Sequence, residues 1–293
     1  MNRRDMLTVA AVGAAFAAPQ ARAERATRQR ISIETGDGVR LFHRDIGEGP
    51  SLLFLSGWAL PSEVWNYQTV ALANQGFRCI SYDRRGHGRS DDPGRGYDYD
   101  TLADDLAIVL AALDLTNVTL VGHSMASGEM VRYMSRHRSA RVSKLIFIAP
   151  AATPYPANYI PPAAAAELRN EKLLHDFPRA LREGLPPFLA PTSSQGMLDW
   201  VFNMMASASH SAVVGCNIAL TTADFRAELS GVRAPALVIH GTRDVSAPID
   251  LTGRATAAAI PGAVLKVYED APHGLFLTEI DRVNADIAAF ARA

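Results

Sequence analysis

Cysteine is scarce in this chain: its 293 residues hold two, Cys79 and Cys216. One pair is no disulfide framework, and neither a Cys-x-x-Cys nor a His/Cys cluster at metal-ligand spacing accompanies it. No metal site is read from the sequence. An excess of charge is missing too, with 29 Lys and Arg against 30 Asp and Glu. Nucleic acids and anionic membranes require a basic surface, so this balance argues against both as partners. Long apolar runs are also absent. The mildly apolar stretch Leu7 to Ala18 is too short and too rich in Ala and Gly to act as a stable membrane anchor. No internal repeat appears. What is present, 48% hydrophobic and 20% charged residues, fits a soluble globular enzyme with a large core.

The first 23 residues read as an export signal rather than as fold. Arg3-Arg4-Asp5-Met6-Leu7 is a twin-arginine pair followed by apolar residues, and Ala21-Arg22-Ala23 is a small-x-small cleavage site. Cleavage after Ala23 removes three arginines and one aspartate, leaving a net charge of −3. The expectation is a periplasmic or secreted protein carried by the twin-arginine machinery. That route moves folded proteins, so no disulfide should be needed for folding.

From Arg30 onward the apolar pattern alternates between strand and helix. Arg30–Glu34 and Arg40–Asp45 flank Gly36-Asp37-Gly38 as an opening antiparallel hairpin. Ser51–Leu55, Phe77–Tyr82, Val118–Val121, Val142–Ile148, Ala236–His240 and Val264–Tyr268 are short apolar runs that read as buried strands. Cys79 falls in one of them and acts as a small hydrophobe. Leu102, Leu106, Val109, Leu110 and Leu113 share one face of a helix, with Thr101 and Asp104 as its expected capping box. Leu251–Ile260 and Glu279–Ala291 are further helices. Between Ala151 and Thr222 strand signals vanish, prolines cluster, and the expected helical pieces are short and interrupted. A helical insertion between two strands of a parallel sheet is a cap over the carboxyl edge, where ligands of such sheets sit.

The chemistry centres on Val118-Thr-Leu-Val-Gly122-His123-Ser124-Met125-Ala126. Strand, sharp turn and helix follow one another with a serine at the apex, the arrangement of a nucleophile elbow. Gly122 and Ala126 are small, as the close approach of strand and helix requires. Such a serine needs a base, an orienting acid and oxyanion donors. His273, in Ala271-Pro272-His273-Gly274, follows the last strand, and Asp244 follows the strand before it. The order Ser124, Asp244, His273 suits a hydrolase triad. Asp270 is the competing acid, but it lies on the same loop as the histidine. His87 and His123 are expected to shape backbone or to hydrogen-bond locally, and His240 to end its strand. Two backbone N–H groups should face the oxyanion: that of Met125, after the serine, and that of Trp58, in the loop after Ser51–Leu55. Trp200, Phe202, Met204 and Met205 cluster in the cap. They either bury the cap against the sheet or line an apolar acyl pocket together with Trp58 and Met125.

Ser56-Gly57-Trp58, Tyr82-Asp83-Arg84-Arg85-Gly86-His87-Gly88-Arg89-Ser90, Gly122-His123-Ser124-Met125 and Ala271-Pro272-His273-Gly274 together resemble the α/β-hydrolase superfamily, and most of all its cofactor-free haloperoxidase/arylesterase branch. The resemblance implies an α/β fold: a mostly parallel eight-stranded sheet with helices on both faces and a helical cap. Residues 24–150 and 223–293 would form the core and 151–222 the cap. It implies a serine hydrolase of small carboxylic esters or lactones that needs no cofactor. Three departures stand out: Ser56 where His-Gly is usual, Ala126 where Gly is usual, and Ala59 where peracid-forming relatives often carry proline. The last counts against the alternative of a perhydrolase or haloperoxidase. A non-catalytic ligand receptor on the same scaffold is the alternative from another class. Haloalkane dehalogenation would need Asp at position 124, whereas carbon–carbon bond hydrolysis uses the same triad.

Overall fold

The short apolar runs bounded by Gly, Pro and Asp become strands of one sheet. The computed structural model describes residues 32–138 and 141–293; the expected export segment, 1–23, lies outside the described residues. The strands are β1 (Ser32–Glu34), β2 (Arg40–Ile46), β3 (Ser51–Leu55), β4 (Arg78–Tyr82), β5 (Val118–His123), β6 (Val142–Ile148), β7 (Ala236–Gly241) and β8 (Val264–Tyr268). They lie in the order β1-β2-β4-β3-β5-β6-β7-β8. The pairs β1–β2 and β2–β4 are antiparallel and all others are parallel.

Alternation along each strand divides the core between the two faces of the sheet. Leu53, Leu55, Ile80, Leu120, Phe147 and Val238 face one side. Their neighbours Leu52, Phe54, Cys79, Val121, Ile146 and Ile239 face the other. Because both faces are covered, the strands read as continuous apolar runs rather than as alternating ones. Helix α1 (Asn66–Ala73) covers the second face with Leu72. Helices α2 (Tyr99–Ala112) and α3 (Ala126–Arg136) cover the first face with Leu102, Leu106, Val109, Met130 and Val131.

The cap follows β6. It holds α4 (Pro162–Glu167), a π-helical turn at Leu168–Leu173, α5 (Phe177–Phe188), α6 (Gln195–Ala206) and α7 (His210–Thr222). The last three are regular helices of 12, 12 and 13 residues, longer than the broken pieces expected. The polar residues between the prolines explain this. Asp176, Ser194 and Ser209 each accept a backbone N–H as N-caps, and Pro178 sits in the first turn, where a missing N–H costs nothing. Four elements complete the chain. They are α8 (Arg226–Leu229), α9 (Gly253–Ala259), α10 (Leu275–Thr278) and α11 (Ile280–Arg292), whose Val283 and Ile287 cover the second face.

Two local expectations are corrected. The N-cap of α2 is Asp98, whose carboxylate accepts the Thr101 N–H at 2.9 Å; Asp104 instead pairs with Arg136 and His137 across to α3. Strand β5 runs on to His123 rather than stopping at Val121, because Gly122 and His123 still pair with Phe147 and Ile148 of β6.

The two thiols lie in different core clusters, Cys79 on the sheet and Cys216 in α7 of the cap, and both are free and buried. Burial pushes each up to about 12, so the reactive thiolate is scarce at neutral pH. Neither should react with a disulfide reagent such as DTNB in the native protein, and two should titrate in denaturant; fewer than two would reveal pairing.

Candidate active site

Strand β5 leads straight into Ser124, which has a φ of +56°. A left-handed serine between strand and helix is strained, and the surrounding pairing must hold it there. The Ser124 N–H donates to the Ile148 carbonyl at 3.0 Å, and the Ser124 carbonyl accepts from the Ser127 N–H at 3.1 Å. Position 122 is crowded: an added Cβ would stand 2.2 Å from the Met130 Sδ, forcing that side chain to move, and 3.3 Å from the Ala126 Cβ. Ala126 therefore touches the space that Gly122 leaves open, and its single methyl is tolerated.

The loops after β7 and β8 bring the acid and the base to this apex. Their approach depends on Gly241, where a Cβ would come within 2.0 Å of the Ala271 carbonyl oxygen. His273 Nε2 lies 2.9 Å from Ser124 Oγ, and His273 Nδ1 lies 2.6 Å from Asp244 Oδ2. With Nδ1–H donating to the carboxylate, Nε2 is free to accept the serine proton. All three side chains are buried. Burial alone would raise the Asp244 pKa, but His273 and His240 beside it hold the carboxyl well below the usual range, so it is ionised throughout the neutral region. Asp270 lies away from the imidazole. Its side chain is 76% exposed and pairs with Arg243 at 2.9 Å.

Two histidines have larger parts than their sequence context suggested. His240 is fully buried, and its Nε2 stands 2.9 Å from both Asp244 Oδ2 and the Ala247 carbonyl. It is a second imidazole on the same carboxylate. His123 reaches beyond its own turn. Its Nε2 faces the His273 carbonyl at 3.2 Å, and its ring packs 4.8 Å from that of His273. Burial, reinforced by the neighbouring His273, pushes its pKa well below the ordinary histidine value, so this N–H donor is neutral. His87 behaves as expected, with Nδ1 on the Arg85 carbonyl at 2.9 Å. The spacing His240–Asp244, four residues across a strand end, was the available signal for the missed contact.

The loop after β3 closes over the serine. A Cβ at Gly57 would sit 2.6 Å from His123 Nδ1 and 3.3 Å from the Ser124 Cβ, so the backbone of Ser56-Gly57-Trp58 runs directly beside the elbow. The Trp58 indole N–H donates to the Val213 carbonyl of α7 at 2.8 Å, joining this loop to the cap.

A cavity of about 320 Å³ opens above Ser124 and His273. Trp58 and Met205 line it, together with Leu173, Leu181, Leu185 and Phe188 of the cap. Met125, Trp200, Phe202 and Met204 do not, which corrects four of the six pocket expectations. Met125 is wholly buried beneath the site, where Tyr99 donates to its carbonyl at 3.1 Å. In α6, Val201, Met204 and Met205 form the buried face, and Trp200 and Phe202 lie at its edges. Trp200 packs edge-on against Tyr67, Phe202 lies under the Arg182 guanidinium, and Met204 joins the core. Among the polar groups on the cavity wall is Asn217 of α7, whose side-chain amide oxygen Oδ1 accepts from Arg169 at 3.3 Å.

A buried carboxylate, imidazole and serine hydroxyl in hydrogen-bond succession can carry out nucleophilic acyl transfer. The comparisons agree with this chemistry. A family model described as alpha/beta hydrolase fold matches residues 50–280. The chain belongs to that family. It is 37% identical over 267 residues to the non-heme chloroperoxidase CPO-A1 of Kitasatospora aureofaciens, covering 87% of this chain and 97% of that protein. It is 31% identical over 274 residues to the bifunctional esterase/perhydrolase DCH of Acinetobacter calcoaceticus, covering 89% and 99%. The solved structure of the esterase EaEST from Exiguobacterium antarcticum superimposes with a TM-score of 0.85 at 32% identity, covering 89% of this chain and 99% of that one.

Proposed function

We propose that this α/β hydrolase is a serine esterase that cleaves small carboxylic esters or lactones through an acyl-enzyme. The observation that carries the reading is the unbroken hydrogen-bond succession Asp244–His273–Ser124 at the floor of the cavity. Ser124 Oγ attacks the ester carbonyl while His273 Nε2 takes its proton. The oxygen that becomes negative lies against the N–H groups of Trp58 and Met125. His273 then returns the proton to the leaving alcohol. Water attacks the acyl-enzyme by the same route in reverse. A lactone would open by the same steps and leave its alcohol on the acyl chain.

One backbone angle supports hydrolysis over peracid formation. Ala59 has a φ of +59°. A proline is locked near −65° and cannot occupy that conformation, so this loop does not take the shape that a proline at position 59 would impose.

The cavity bears on substrate size. Its volume is at the low end for small-molecule sites, and its walls are mostly apolar. Each methylene that fits gains at most about 0.8 kcal/mol, and one that does not fit costs more through overpacking. Across p-nitrophenyl esters of rising acyl length, kcat/KM should peak between acetyl and butyryl and then fall. A profile still rising at octanoyl would mean an open groove. Bromination with added peroxide and acetate should be far slower than ester hydrolysis; the reverse ranking would make the protein a perhydrolase.

The twin-arginine pair and Ala21-Arg22-Ala23 support export to a periplasmic or secreted location. Sequencing the natively expressed protein should find an N-terminus near Glu24 outside the cytoplasm; an intact start in the cytosol would refute it.

A further inference from the structure

Two buried donors, Arg84 and Ser127, lie beside the site without lining its cavity, and ester cleavage as described above does not use them. The N–H groups assigned to the oxyanion belong to the peptide units Gly57–Trp58 and Ser124–Met125. In a trans peptide the C=O and N–H point in opposite directions. Whatever fixes the carbonyl therefore aims the amide. The Ser124 carbonyl accepts its shortest hydrogen bond from Ser127 Oγ at 2.8 Å, with the Ser127 and Ala151 N–H groups behind it at 3.1 and 3.3 Å. On the other side the Arg84 guanidinium reaches two successive carbonyls, donating to Ser56 at 2.7 Å and to Gly57 at 3.4 Å.

Arg84 is itself held from the helix that carries the serine. Its Nε and Nη2 donate to Glu129 Oε2 at 3.1 and 2.8 Å, and Tyr82 donates to the other carboxylate oxygen. The Arg84 and Glu129 side chains are 4% and 1% exposed. Glu129 stands in the first turn of α3, directly after the elbow. One planar fork thus spans from α3 to the Ser56-Gly57-Trp58 loop and sets the separation of the two N–H groups. A buried ion pair is weak evidence for stability, since desolvation offsets most of the attraction. What it supplies here is a fixed geometry between two segments 45 residues apart in sequence, and preorganised donors are what oxyanion stabilisation requires.

We infer that Arg84 and Ser127 are positioning residues of ester cleavage, each clamping the carbonyl of the peptide unit whose N–H faces the developing oxyanion. This rests on the esterase reading. The test compares Ser127→Ala, Arg84→Lys and the double variant Arg84→Met/Glu129→Leu with wild type and with Ser124→Ala on p-nitrophenyl acetate. Lysine keeps the charge but cannot fork. The double variant leaves no uncompensated buried charge, so it should fold even where a single Arg84 replacement does not. For the folded variants kcat should fall about tenfold to a hundredfold, with KM within about threefold of wild type. The inhibition constant of a trifluoromethyl ketone, whose adduct with Ser124 carries the oxyanion, should rise in parallel, while that of the product carboxylate should not. A purely structural role would lower Tm and leave both kcat and the ketone's inhibition constant unchanged in the folded protein. That outcome, or a folded double variant with wild-type kcat, would overturn the inference. An active Ser124→Ala would instead remove the esterase reading itself, and the inference with it.

Discussion

Ser124→Ala and His273→Ala are each expected to lower kcat on p-nitrophenyl acetate by roughly four to six orders of magnitude, and the double variant should be little worse than either one. The geometry dictates the lack of additivity. The serine hydroxyl donates to His273 Nε2 at 2.9 Å, so the imidazole has no proton to take once the hydroxyl is gone. The hydroxyl, in turn, has no base once the imidazole is gone. Whatever activity survives comes from the apolar cavity walls and the oxyanion donors, which both substitutions leave in place. Both side chains are small or at the cavity floor, so Tm should change little. The check is steady-state kinetics on the three variants beside their thermal unfolding. Losses that multiply in the double variant would mean that the two side chains act independently, and the succession Asp244–His273–Ser124 would then not be the working unit.

Much of this site was legible in the chain, and the reason is locality. An elbow is a contiguous segment, so Gly122-His123-Ser124-Met125-Ala126 declares strand, turn and helix within a few residues. Asp244 and His273 follow their strands directly, and parallel strands place successive carboxyl ends along one edge of the sheet. The strands could be read because burial on both faces makes each a short apolar run. Where two segments distant in sequence meet, no such signal exists. Arg84 belongs to a loop after β4 and Glu129 to a helix after β5, and nothing in either neighbourhood announces the other. His240 looked like the end of a strand because its partner, Asp244, is brought back only by the turn through Gly241. The cap failed for a different reason. Trp200, Phe202, Met204 and Met205 were grouped by closeness in sequence, whereas a helix turns about 100° per residue and sends adjacent side chains to different surroundings. Reading α6 by its phase from Val201 would have kept Met205 in the pocket and released Trp200 and Phe202. The leucines of α5 that line the cavity are hidden among prolines, which read as helix breakers although Pro178 lies in the first turn of the helix and Pro186 and Pro187 within its last.

Asp244 should prove the least replaceable polar group after the serine and the histidine, because three donors converge on it. Oδ2 accepts from His273 Nδ1 at 2.6 Å and from His240 Nε2 at 2.9 Å, and Oδ1 accepts from the Ala247 N–H at 2.7 Å. Asparagine at this position has a single acceptor oxygen. If that oxygen serves Ala247, the amide NH2 is turned toward the two imidazoles. His273 must then accept at Nδ1 and carry its proton on Nε2, where it can no longer take one from Ser124. The wrong tautomer on an intact scaffold costs about 10⁴ in kcat where it has been measured in serine hydrolases, and Asp244→Asn should lose about as much, with KM little changed. His240→Leu tests the second imidazole. It leaves Asp244 with His273 and Ala247 and the ring of His273 correctly protonated, so kcat should fall only about tenfold, through looser orientation of the carboxylate. Asp270→Asn should change kcat by less than about twofold, because its exposed carboxylate pairs with Arg243 and lies outside the succession. The ranking is the test. Kinetics of the three variants, each shown to be folded by thermal unfolding, should order them Asp244→Asn, His240→Leu, Asp270→Asn from most to least impaired. If Asp270→Asn were the most damaging, the acid that orients His273 would lie on its own loop and not on the loop after β7.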